Sequence, residues 1–368
     1  MAPLIDKHIQ NVGDINNSKV LVVNGDVVLN EKGSEVYEMT LELLKDEISR
    51  LTQRAAEDFR SQLKVFIEDF INRLQKNENL ALLETLSDFR IQDDFRTVAN
   101  GYASSDSTPE RELILDVLID RMKEKNGTSS QKLISEALKV VADMPFSSAC
   151  LLGILTLRTE TFHGFPFFVD SFFSQLGELV NQIASIGKED IEYLEIKNCL
   201  THVGGVYPVA SLEQILLNRY DLFFRHKLSQ QQMDSLEAVI PPLRNRVNGN
   251  SSMFLAMAVS EPYEYCLIET NSRLFAETMH KNGTDDMIPV MHRVIEFMPL
   301  YSEPELRMYF EQKNENWNKV FDLLSSSGPL ATLQSTAVGN YIGSLVMSHF
   351  SSYHRSLSMG SILNPKSI

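Results

Sequence analysis

Hydrophobic and polar positions along this chain change period once, sharply, near Gly33. Before it, short β-branched runs alternate with turn residues. Val20–Val23 and Val27–Leu29 are strand-like, and Asn16–Asn17–Ser18 and Asn24–Gly25 are turn signals. Asn-Gly suits the type I′ turn of a two-residue hairpin, because both central residues need positive φ. Gly13–Asp14 is echoed by Gly25–Asp26, twelve positions later. The stretch Gln10–Leu29 therefore predicts two or three strands of about four residues, too small a sheet to be stable alone. Its edges must pair with something. Either copies from several chains complete one another, or the hairpin packs on its own helical domain.

After Gly33 the period becomes helical. Ser34 is placed to cap a helix. Tyr37, Leu41, Leu44, Ile48, Leu51 and Ala55 then follow at spacings of four and three, continued by Phe59, Leu63, Phe66, Phe70 and Leu74. The stripe predicts one spine helix over Ser34–Gln75, about 60 Å long at the usual rise per residue. Its early part is narrow enough for a coiled-coil seam. From Phe59 on, Val65, Ile67 and Ile71 widen it into a bundle face.

Further helices are predicted over Leu80–Phe89, Phe95–Tyr102, Glu110–Lys125, Gln131–Val141, Leu176–Ile186, Lys188–Leu200, Leu212–Phe224 and Gln230–Ile240. Met144–Leu157 is apolar nearly throughout and reads as a buried core helix, too short to span a bilayer. Asn245–Ser252 reads as an exposed loop. Met253–Val259, Cys266–His280, Met287–Phe297, Pro304–Gln312, Trp317–Ser325 and Leu330–Phe350 continue the helical pattern. The fold class expected is mainly α: a multi-helix bundle with a long N-terminal helix preceded by a short β-hairpin-like unit. The divisions expected are a β-unit over 1–33, a helical domain over 34–228, a second over 229–352 and a tail over 353–368.

Composition narrows the functions. The net charge of −15 opposes general nucleic-acid binding, which needs a basic face to displace counterions. It also opposes simple adsorption to an anionic membrane. Cys150, Cys199 and Cys266 are three and far apart, so they form no disulfide framework. No secretory signal opens the chain, and no run of 18 apolar residues marks a constitutive membrane span. A cytoplasmic location is expected.

Candidate chemistry is sparse. Cys199 and His202 stand one helical turn apart, but two ligands are not a zinc site. The Gly-Asp pairs lack the nonapeptide repeat of a calcium-binding β-roll. No phosphate-binding glycine loop or nucleophile elbow is present. Phe162, Phe165, Phe167, Phe168, Phe172 and Phe173 form an aromatic cluster expected to be core. Gly339 and Gly343 make a small-xxx-small pair, a spacing that lets helices approach closely in membranes or in bundles.

Three phrases together resemble an uncharacterised bacterial family known only by locus-tag names. They are the NVGDIN…NGDVVL opening, Tyr102–Ser105 with Glu112–Arg121, and Leu333–Gly339 with Ile342. The resemblance implies a cytoplasmic, mainly helical bacterial protein and supplies no activity. N-terminal units of the Gly-Asp-Asn kind also open bacterial conflict and phage-defence proteins, an analogy that points toward immunity.

The function expected is non-enzymatic self-assembly, as a scaffold, sensor or interaction module, with a homo-oligomer as the principal partner and a protein partner beyond it. The residues expected to carry assembly are Gly13, Asp14, Ile15, Val20, Val22, Gly25, Asp26, Val27, Tyr37, Leu41, Leu44, Ile48 and Leu51. No cofactor, metal or catalytic residue is expected. The alternatives are a membrane-perturbing effector acting through 330–350, and an enzyme with a site in 162–202.

Overall fold

A computed structural model describes residues 21–351, apart from 24–25, 29–30, 106, 126, 160–165, 204–208, 240–254, 258–263, 268, 284 and 286. The fold is mainly α, with a few strands of two to four residues. The chain divides into two units, Met1–Phe146 and Ser147–Ile368. The boundary expected near 228–229 falls inside the second.

In the first unit, β1 (Leu21–Val23) and β2 (Asp26–Val28) pair antiparallel, with Val22 opposite Val27 and Val23 opposite Asp26. Three helices follow where one was expected: α1 (Glu31–Leu43), α2 (Lys45–Arg50) and α3 (Gln53–Lys76). The spine breaks because Leu51 and Thr52 are extended, and the Thr52 hydroxyl accepts from the Ala55 amide to start a new helix. A threonine that can cap offers the backbone an alternative to continuing. Ser34 does not cap. The helix already begins at Glu31, and Ser34 is exposed within it.

The widened stripe of α3 behaves as predicted. Leu63, Phe66, Ile67, Phe70, Ile71 and Leu74 are all buried. A 3-10 segment (Leu80–Ser87) leads into α4 (Phe89–Ser104), α5 (Thr108–Lys123) and α6 (Ser129–Val141). Phe66 packs against Phe70, Phe95 and Tyr102 with ring centroids 5.1–6.1 Å apart. The fully buried Arg121 donates to Asp94 at 2.7 Å, and the Ser135 hydroxyl donates to the same carboxylate at 3.0 Å. Leaving either charge alone in that interior would be strongly destabilising.

The second unit opens with α7 (Phe146–Leu155), buried along nearly its whole length as expected of an all-apolar helix. Then come α8 (Pro166–Gln175), α9 (Gly177–Ile183), α10 (Lys188–Ile196), β3 (Leu200–His202), α11 (Leu212–Arg219), β4 (Leu228–Ser229) and α12 (Gln230–Val239). They are followed by β5 (Leu255–Met257), β6 (Glu264–Leu267), α13 (Ser272–Lys281), α14 (Met287–Glu296), α15 (Glu303–Lys313), α16 (Trp317–Leu323), β7 (Leu333–Ser335) and α17 (Ala337–Phe350).

Four predicted helices are partly strand. Leu255–Met257, read within the helix Met253–Val259, pairs with Tyr265–Leu267, which overlaps the start of the helix read over Cys266–His280; Leu333–Ser335 pairs with Leu200–His202, so the helix read over Lys188–Leu200 gives way to strand and the last helix begins later. Short apolar runs fit either state locally, and the distant partner decides. Asn198, at φ 55°, ends the helical run and turns Leu200 into its strand.

The core of this unit is aromatic: Phe173, Phe224, Phe310, Trp317 and Phe321 interlock. Arginines tie loops to it through backbone carbonyls. Arg158 donates to the carbonyls of Leu330 and Leu333, each at 3.0 Å, and burial brings its pKa down to about 10. The small pair on α17 meets backbone. A Cβ on Gly339 would lie 2.2 Å from the Cys199 carbonyl oxygen, and one on Gly343 2.4 Å from that of Leu152.

Candidate assembly surface

Among the described residues the β-unit is a two-stranded sheet, each strand pairing on one side. It lies against α3. Gly13, Asp14, Ile15, Val20 and Gly25 lie outside the described residues. Val22, Asp26 and Val27 are brought together in the β1–β2 register.

The five helical candidates do not share one surface. Leu44 (0% exposed) and Ile48 are buried in the chain's own core, together with Val36 and Thr40. Tyr37 and Leu41 are half-buried beside that row. Burial raises the Tyr37 phenol above its usual pKa, with the Arg60 guanidinium opposing. Leu51, in the break between α2 and α3, is 40% exposed. The inward row is thus Val36, Thr40, Leu44 and Ile48, and the predicted seam straddles its edge. Arg96 pairs with Glu47, linking α4 to α2 on the inner side.

A groove that the sequence did not mark lies beside this row. Val36 and Met39 of α1 form one wall and Leu80, Leu83 and Leu86 the other, with Lys32, Glu35 and Glu84 among the polar lining. Its volume is about 540 Å³, within the range of sites that hold ligands or partner segments. Leu80 and Leu83 are half-buried there. The wall is a 3-10 run of eight residues, longer than such helices usually persist. Phe89, just beyond it, is 71% exposed, with the Arg90 guanidinium 5.2 Å above its ring. The available signal was the leucine density of Leu80–Leu83 without a clean polar face.

Elsewhere the sequence candidates resolve into structure. Cys199 is buried, which pushes its thiol up to about 12, while His202 Nε2 lies 3.1 Å from Glu195. No group of three His, Cys, Asp or Glu side chains fit to hold a metal occurs among the described residues. Phe172 and Phe173 are core, whereas Phe167 and Phe168 are exposed at the start of α8. Phe162 and Phe165 lie outside the described residues. No helix among them is long and apolar enough to cross a membrane.

These features define a mainly α, multi-helix protein with a small N-terminal sheet and an apolar groove between α1 and the 3-10 segment. A model of an uncharacterised protein family, described by no more than the suffix "-like", matches residues 32–360, and the chain belongs to that family. The match begins at Lys32, after the hairpin. No curated protein and no solved structure matches the chain.

Proposed function

We propose that this chain is a non-enzymatic, self-assembling helical protein, joined to further copies through Gln10–Leu29 and the adjoining surface of α1. The observation that carries the reading is a sheet of two three-residue strands, each pairing on one side among the described residues, followed by a helix, α1, that walls a half-exposed leucine groove. Exposed strand edges recruit further strands, and a sheet this small gains most from doing so. The half-buried Tyr37 and Leu41 and the exposed Leu51 and Phe89 extend the available apolar surface. An assembly of low cyclic order would present the helical body to a protein partner, as a scaffold or sensor. By analogy with other Gly-Asp-Asn openings, its setting would be bacterial phage defence in the cytoplasm.

Membrane perturbation by the last helix loses its main sequence argument, because Gly339 and Gly343 already hold α17 against the chain's own backbone. Light scattering on the full chain and on a chain lacking residues 1–33 tests assembly. The full chain is expected to have a multiple of the monomer mass, 41.7 kDa, and the shortened one a lower multiple. Equal multiples for the two would refute the role of the β-unit.

A further inference from the structure

The groove between α1 and the 3-10 segment lies next to the point where residues 1–20 join the described part of the chain. Leu21 stands opposite Val28 in the β1–β2 register, and α1 begins at Glu31. Antiparallel pairing therefore puts the start of β1 at the same end of the hairpin as the start of α1. Lys32 lines the groove there, followed along α1 by Glu35, Val36 and Met39. That wall is about 10 Å long at the helical rise. Gln10–Val20 reaches up to about 36 Å when extended, so Met1–Ile9 can lie anywhere along the wall.

The lining selects what fills it. Val36, Met39, Leu80, Leu83 and Leu86 are apolar, and the charges beside them are Lys32, Glu35 and Glu84, one positive and two negative. Glu35 and Glu84 are exposed, and neither pairs with a cation among the described residues. Met1–Ile9 has the complementary composition: Leu4, Ile5 and Ile9 are aliphatic, and Lys7 and His8 follow Asp6. A tether this short gives the segment a high local concentration, so it needs little intrinsic affinity to stay bound, and the same segment of another copy has no such advantage. We propose that Met1–Ile9 docks in the groove of its own chain, with Leu4, Ile5 and Ile9 against the apolar lining and Lys7 against Glu35 and Glu84. The inference goes beyond assembly and does not rest on it, because Tyr37 and Leu41 are not part of the groove.

Disulfide capture in the full chain tests it. Asp6→Cys keeps the three aliphatic residues and is combined with Ala81→Cys, on the exposed lining of the groove, or with Glu136→Cys, exposed on α6 and outside it. Under mild oxidation the Ala81 pair is expected to bridge at least about fivefold more than the Glu136 pair, as a product of monomer mass on a denaturing gel and with the bridge located by peptide mass mapping. Adding Leu4→Asp and Ile5→Asp is expected to lower that yield to the level of the Glu136 pair. Similar yields from the two pairs would overturn the inference, and so would a yield that the added aspartates leave unchanged. A bridged product of dimer mass would also overturn it, by placing the segment in the groove of a second copy, whereas a monomer-mass bridge leaves assembly to be judged by light scattering alone. Circular dichroism reports whether each variant is folded. Ser87→Cys, also on the exposed lining, takes the place of Ala81→Cys if that variant does not fold, and the same outcomes decide.

Discussion

Helix 337–350 and helix 31–43 both carry a sequence pattern associated with helix pairing, and the fold treats them in opposite ways. The first has the small pair Gly339 and Gly343, and both contact backbone of their own chain at distances no side chain would allow. The second opens the stripe from Tyr37 through Leu51, which continues through Leu44 and α2. Only Leu44 and Ile48 of that stripe turn inward, while Tyr37 and Leu41 sit at the margin and Leu51 faces out. A pairing pattern therefore identifies a face that wants a neighbour without saying which chain provides it. What separates the two cases is steric. Glycine pairs are used up when backbone seats on them, whereas an apolar stripe can bury part of its width and leave the rest available.

Three substitutions sharpen or break this contrast. The largest effect is expected from Leu44→Ala, which removes a fully buried side chain at about 3 kcal/mol, read as a shift in the denaturation midpoint. A loss below about 1 kcal/mol would mean that the inward half of the stripe is not seated on the core as described. Gly339→Ala comes next. Its methyl would lie 2.2 Å from the Cys199 carbonyl oxygen, so the helix must move, at a cost of about 2 kcal/mol. A neutral outcome there would free α17 for other partners and revive membrane perturbation. The smallest effect on stability is expected from Leu51→Ala, within about 0.5 kcal/mol because the side chain is half in water. Its informative readout is mass by light scattering, where a lowered assembly state without loss of stability would place Leu51 on the interface.

Much of the helical layout was legible in the sequence, because amphipathic period survives wherever a helix has a wet side. The burial of Leu63, Phe66, Phe70 and Leu74 is a case, whereas helix 146–155, with almost no wet side, was legible from its continuous apolar run. The break at Leu51–Thr52 was not legible, since the stripe runs through it in register and only the threonine cap interrupts the backbone. The strands at 200–202 and 333–335 were hidden for another reason. Each is three residues long, and its state depends on a partner more than 130 positions away. The pairing of the short strands on either side of Asn24–Gly25 was legible from the turn signal and the β-branched runs. Glu213, on α11 and 2% exposed, went unremarked because an acid in the first turn of a helix ordinarily faces water. What buries it is Arg307, 94 positions later, and local pattern carries no trace of that.

The strand pair joining Leu200–His202 to Leu333–Ser335 has a consequence for biogenesis. Residues up to 200 leave the ribosome well before their partner strand exists, and helix 146–155, apolar on every side, leaves with them. Until Leu333–Met347 emerges, that helix lacks the glycine-lined surface that covers Leu152 and Thr156. Long-range closure of this kind is slow and leaves sticky intermediates. Synthesis of the second unit is therefore the interval in which this protein most needs a chaperone, and ribosome stalling between residues 200 and 333 would yield a chain that aggregates rather than a shortened but folded one.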